Sequence, residues 1–301
     1  MKPIITGFYD HHQSDLQSQI DFAVSKQLSD ISLRNVNGHP LYLIDQKTYQ
    51  EIISTIKKGK IKVSLLDPNM PAYDLEDDKK HQEAMDVYKD LLILAQKIKT
   101  TYILLRLPKV NLVIEQMELI KNRLEDFIHL AQQYHRKLVL EPSDGHKAST
   151  YAYILKKIKT PLLNIQFNPV YFLGLKESTT TVYRLFKKKI VFFRANDATL
   201  DGQPQLLGHG KTDFLKVSKK LLRDKFDGYI MVDNDLHQLI ENPKQEEKKS
   251  WFKQVFKKKD KKRDKAYQTL KTQLKWSDEE KNVTYDDILE NQIKLINYIF
   301  K

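Results

Sequence analysis

The chain carries a repeat of hydropathy: eight apolar runs begin near Ile4, Ile31, Ile61, Tyr102, Leu138, Leu162, Ile190 and Tyr229, spaced by roughly 25 to 40 residues. Between them lie stretches such as 15–27, 82–99 and 116–135, whose apolar residues recur at three-and-four spacing. That period puts them on one side of a helix. Strand and helix therefore alternate eight times. Parallel strands joined by helices bury both faces of their sheet, and eight of them predict a (β/α)8 TIM barrel. A chain of 301 residues is long enough for one such domain.

Each apolar run ends in a polar or charged residue: Asp10, Arg34, Asp67, Arg106, Glu141, Asn168, Arg194 and Asp233. In a parallel barrel the interior is packed, and chemistry sits on the ring of strand carboxyl ends and the loops that follow. The eight residues are thus the expected ring. Taken one at a time, each reads equally well as the polar end of a strand.

The repeat stops near residue 240. The barrel core is assigned to residues 1–240, a basic insertion or arm to 241–282, and a final helix packing on the barrel to 283–301. The formal charge is +12, and Lys244 to Lys265 alone hold eleven Lys/Arg against four Asp/Glu. A basic segment interleaved with Trp251, Phe252, Val255 and Phe256 suits nucleic acid or an anionic membrane surface; a solvated helix resting on the barrel is the plainer alternative. Zero cysteines exclude disulfides, thiolate metal sites and a cysteine nucleophile. No run reaches the roughly 20 apolar residues of a membrane span, and the opening MKPIITGFYD is too short in apolar length for a signal peptide, so a cytoplasmic location is expected.

Three segments of the second half carry a resemblance. LVLEPSDG (138–145), NIQFNPVYFLG (164–174) and VFFRANDATLDGQPQLLGHGKTDF (191–214), followed by FDGYIMVDND (226–235), are similar to the ends of strands five to eight in the xylose isomerase-like barrels. That superfamily includes sugar-phosphate isomerases and epimerases, inosose dehydratases and AP endonucleases. The similarity spans roughly residues 1 to 240. It implies a divalent cation (Mn, Mg or Zn) held by a Glu, an Asp, a His and a Glu. Matched residue by residue, Glu141 keeps the first ligand, Asn168 replaces the Asp, Arg194 the His, and Asp233 the second Glu. The metal set is then Glu141, Asn168 and Asp233. Arg has no lone pair and Asn brings no charge, so the cation is held weakly or the site is empty.

The resemblance implies a sugar or sugar-phosphate isomerase or epimerase working by proton abstraction next to a carbonyl. Glu141 and Asp233 are its candidate acid-base pair, and His209, between Gly208 and Gly210, is a third catalytic candidate. Arg34, Asp67, Arg106, Asn168 and Arg194 are the candidate substrate contacts. Three arginines in one ring suit a small anionic sugar or sugar phosphate, unless they pair internally with Asp10, Asp67 and Asp233. Arg194 can also stand in for the cation, its guanidinium facing a developing oxyanion. His11 and His12 directly follow strand one and can supply missing ligands, though adjacent side chains diverge. A non-catalytic sugar-phosphate binder keeps the same pocket. An AP endonuclease needs clustered metals that this ring lacks. Self-association into a homo-oligomer is a further expectation.

Overall fold

The computed structural model describes residues 2–59, 61–232, 235–240, 265–275 and 282–301. Eight parallel strands form one sheet: β1 (Ile4–Thr6), β2 (Asp30–Leu33), β3 (Lys62–Leu66), β4 (Tyr102–Leu105), β5 (Lys137–Leu140), β6 (Leu163–Phe167), β7 (Ile190–Arg194) and β8 (Tyr229–Met231). Each begins within one residue of the position read from the apolar runs. Hydrogen-bonded neighbours run β1, β8, β7, β6, β5, β4, β3, β2, so the sheet curls into a nearly closed barrel. The seam lies between β1 and β2. There the backbone contributes Ser32 N donating to Gly7 O at 3.0 Å.

Helices wrap the strands: α1 (Leu16–Ser25), α2 (Gln46–Lys58), α3 (Asp78–Lys97), α4 (Met117–Gln133), α5 (Ala148–Lys157), α6 (Pro169–Gly174), α7 (Thr179–Phe186) and α8 (Phe214–Arg223). Their starts are chemically marked. Asp15, Asp45 and Asp77 each accept a backbone N–H of the first turn, satisfying a donor that has no partner within the helix. On α3 the buried residues Ala84, Tyr88, Leu91, Leu92 and Ala95 form the inward stripe, and Tyr88 Oη donates to the Leu104 carbonyl of β4 at 2.7 Å.

Inside the barrel, Phe8, Leu65, Leu104, Val139, Phe192 and Met231 make a buried cluster. One pleat deeper, the hydroxyls of Thr6, Ser32 and Ser64 form a fully buried triangle with edges of 2.7–3.1 Å. Three hydroxyls satisfy one another there and stitch β1, β2 and β3 across the seam.

The C-terminal helix Tyr285–Ile299 opens on a capping box of Thr284 and Asp287 and buries Leu289, Ile293 and Ile296 in the main core. Its buried Gln292 accepts Leu207 N at 2.8 Å. Residues 265–274 are helical, and Ala266 and Leu270 are buried with Leu206, Leu236, Val283 and Ile288. An apolar stripe four residues apart thus finds a partner in the loop after β7. Trp251, Phe252, Val255, Phe256 and the lysines around them lie outside the described residues. Among the described residues no helix is long and apolar enough to cross a membrane.

Candidate functional site

Side chains alternate across a strand, so a residue two beyond an inward one also points inward. That rule builds the mouth. Asp10 follows Phe8 by two, Arg34 follows Ser32, Asp67 follows Leu65, Arg106 follows Leu104, Glu141 follows Val139, Asn168 follows Gln166 and Arg194 follows Phe192. Each lower residue is buried. Asp233 lies outside the described residues.

The six described charges alternate in sign around the ring and pair with one another. Arg34 Nε and Nη2 donate to Asp10 Oδ2 and Oδ1 at 3.0 and 2.7 Å. Its guanidinium lies 4.8 Å above the centre of the Phe8 ring, which floors this side of the mouth. Arg106 Nη1 and Nη2 donate to Asp67 Oδ1 and Oδ2 at 2.9 and 2.8 Å, a planar bidentate fork on a carboxylate with no solvent exposure. The same Nη2 stands 2.5 Å from Glu141 Oε2, and Arg194 Nη1 stands 3.8 Å from Glu141 Oε1. Glu141 is therefore flanked by two guanidiniums. Burial works against the charge of Arg106, yet Glu141 and Asp67 raise its pKa above the ordinary value.

Asn168 plays a local part. Its Oδ1 accepts Tyr171 N at 3.2 Å, capping α6, with Pro169 in the first turn where a missing N–H costs nothing. The same oxygen accepts Asn196 Nδ2 at 3.0 Å. His209 is exposed, and its side chain joins none of the ring's hydrogen bonds or ion pairs. His11 Nε2 lies 2.8 Å from Arg34 Nη2, and its ring stacks on His237 at 4.6 Å. His12 turns the other way, to within 3.5 Å of Asp286 on the C-terminal helix.

Two residues outside the expected ring organise it. Asp197 is buried and accepts the N–H groups of Ala198, Gly208, Gly210 and Thr212 and the Thr212 hydroxyl. It folds the long loop after β7 around one carboxylate. Asn196, also buried, has no hydrogen-bond partner for Oδ1 among the described residues. The signal for both lay in the strand-seven segment that carries Arg194; apart from Ala198, the partners of their side chains are 11 or more residues away in sequence.

The donors among the described residues do not fit a divalent cation. Both Glu141 oxygens face guanidiniums, Asn168 Oδ1 already accepts two N–H groups, and Arg194 offers no lone pair. Among the described residues no three of His, Cys, Asp or Glu gather into a group able to hold a metal.

A family model described as xylose isomerase-like TIM barrel matches residues 32–255. Solved structures with the same fold include a D-tagatose 3-epimerase-like protein, at TM-score 0.65 and 16% identity over 78% of this chain and 91% of that one. They also include the IOLI protein with a bound zinc atom, at TM-score 0.62 and 18% identity, covering 77% of this chain and 88% of that one. The probable 3-DHS dehydratase AsbF of Bacillus anthracis, involved in petrobactin synthesis, aligns over 99% of both chains at TM-score 0.64 and 13% identity. At these identities the likeness is one of fold. No curated protein matches the chain.

Proposed function

This chain belongs to the xylose isomerase-like TIM barrel family, and on that premise we propose that its mouth binds a small sugar derivative and moves a proton on the carbon next to the carbonyl. The observation that carries the proposal is the setting of Glu141: a carboxylate at the carboxyl end of β5 between two guanidiniums, 2.5 and 3.8 Å away. Proton abstraction next to a carbonyl needs a base and a positive group for the oxygen that becomes negative. Glu141 is the base in this proposal, and Arg194 and Arg106 supply the positive charge. Arg34 and Arg106 are already gripped by Asp10 and Asp67. A ring of alternating acceptors and donors suits sugar hydroxyls, and its guanidiniums suit an anionic group of a sugar phosphate. Asp233 is retained as the second acid-base candidate.

The same pairing favours a second reading, a sugar or sugar-phosphate binder without turnover, because carboxylates neutralised in pairs form a stable lattice for hydroxyls. One experiment separates the two. The purified chain is incubated in D2O with a panel of ketoses, aldoses and their phosphates, and the proton next to the carbonyl is followed by NMR. The proposal expects exchange of that proton for deuterium with at least one sugar, slowed about 100-fold or more by Glu141→Gln. Sugars that bind without exchange give the binder reading.

A further inference from the structure

We infer that Arg106, clamped by Asp67, stands against Glu141 in the place of a divalent cation, so that this mouth works without one. Three observations carry this. Arg106 Nη2 lies 2.5 Å from Glu141 Oε2 and so occupies one of the two oxygens with which that carboxylate could hold a cation. The guanidinium cannot swing away at little cost, because both of its terminal nitrogens are hydrogen-bonded to Asp67, whose side chain has no exposure at all. Arg194 approaches the other oxygen of Glu141, so a cation entering from that side meets a second positive charge.

A guanidinium keeps its charge at every physiological pH and presents its donors in a fixed plane. It thus supplies the electrostatic part of a cation without exchangeable coordination positions. Asp67 is a positioning residue here: it acts on Glu141 through the orientation of Arg106. The consequence for catalysis rests on the reading of Glu141 as the proton-transfer group; the exclusion of metal does not, and the test reads the two apart.

Manganese binding is measured directly, as loss of the free Mn2+ electron paramagnetic resonance signal on titrating chelator-treated protein at about 100 μM. The inference expects no loss of signal with the wild-type chain, and the same melting temperature with and without millimolar Mg2+, Mn2+ or Zn2+. Stoichiometric loss of the Mn2+ signal with the wild type overturns it. The double variant Asp67→Asn/Arg106→Gln removes both charges of the clamp together, leaves Arg194 as the charge partner of Glu141, and bares Glu141 Oε2. It is expected to take up Mn2+ at least tenfold more tightly than the wild type. Uptake unchanged from the wild type, in a variant whose circular dichroism shows it folded, removes Arg106 from the role assigned to it; if that variant unfolds, Asp67→Leu/Arg106→Met, which replaces the clamp by apolar side chains of similar size, is used with the same two outcomes. A metal-free wild type that also fails to exchange deuterium into any sugar leaves the substitution standing and the catalytic reading fallen.

Discussion

Arg34 clasps Asp10 across the seam of the barrel, where β1 and β2 share a backbone hydrogen bond but no ladder: Nε and Nη2 reach both carboxylate oxygens at 3.0 and 2.7 Å. The Asp10 side chain is almost wholly buried. With the hydroxyl triangle of Thr6, Ser32 and Ser64 beneath it, the pair completes a closure that the backbone leaves unfinished. Arg34→Gln leaves Asp10 buried without its counter-charge, which typically costs about 3 kcal/mol. Urea unfolding is expected to show a loss of that size; a change under about 0.5 kcal/mol would put the seam's strength elsewhere.

The barrel was legible because its signal is local. Each strand start fell within one residue of its apolar run, and the two-residue alternation above Leu104, Val139 and Phe192 carried Arg106, Glu141 and Arg194 to one mouth. What was not legible is long-range pairing. Whether Arg106 faces a ligand or Asp67 depends on two residues 39 apart in sequence, and both answers fit the same letters. The gathering role of Asp197 was hidden similarly, since its partners Gly208, Gly210 and Thr212 lie beyond a turn. The stripe of Ala266 and Leu270 follows a run of lysines, and its partners Leu206 and Leu236 are remote in sequence.

Asp197 holds the loop after β7 by accepting five hydrogen bonds in a buried position. Asp197→Ala strands several N–H groups at once, and a loss of about 3 kcal/mol is expected, since bonds to charged groups contribute roughly 1.5–3 kcal/mol each and the loop partly relaxes. Limited proteolysis is the measurement. New cleavage between residues 199 and 211 follows from this role of Asp197; a wild-type digestion pattern would contradict it.

Two glycines of that loop differ. At Gly210 an added Cβ collides with the Asp197 carboxylate and the Ala198 carbonyl, whereas at Gly208 it meets only Leu215 at 3.8 Å, although φ is +86°. Gly210→Ala is expected to cost about 2 kcal/mol or more by overpacking, and Gly208→Ala about 1 kcal/mol through backbone strain. Thermal melts of the two variants should rank in that order, and the reverse order would show that the loop can open around Asp197.

His11 faces a donor. Arg34 can only donate, so His11 Nε2 accepts and the ring is neutral in this contact. Burial first, then the positive charge of Arg34 and the neighbouring His237, hold its pKa below the ordinary 6.5, with Asp10 and Asp235 pulling the other way. The unfolded chain takes a proton near 6.5 while the folded one resists it. The contribution is therefore whole above pH 6.5 and is lost as the pH falls through the lower folded value. His11→Gln is expected to flatten the fall of melting temperature between about pH 7 and pH 5; an unchanged slope would show that other groups set it.

The most direct test is a crystal structure of the chain soaked with whichever sugar exchanges its proton fastest. With Glu141 acting as the base and the guanidiniums as the positive groups, the sugar carbonyl should lie against Arg194 and Arg106, with the adjacent carbon facing Glu141. A metal ion bridging Glu141 and the sugar, or a sugar bound away from the ring of strand ends, would contradict the account.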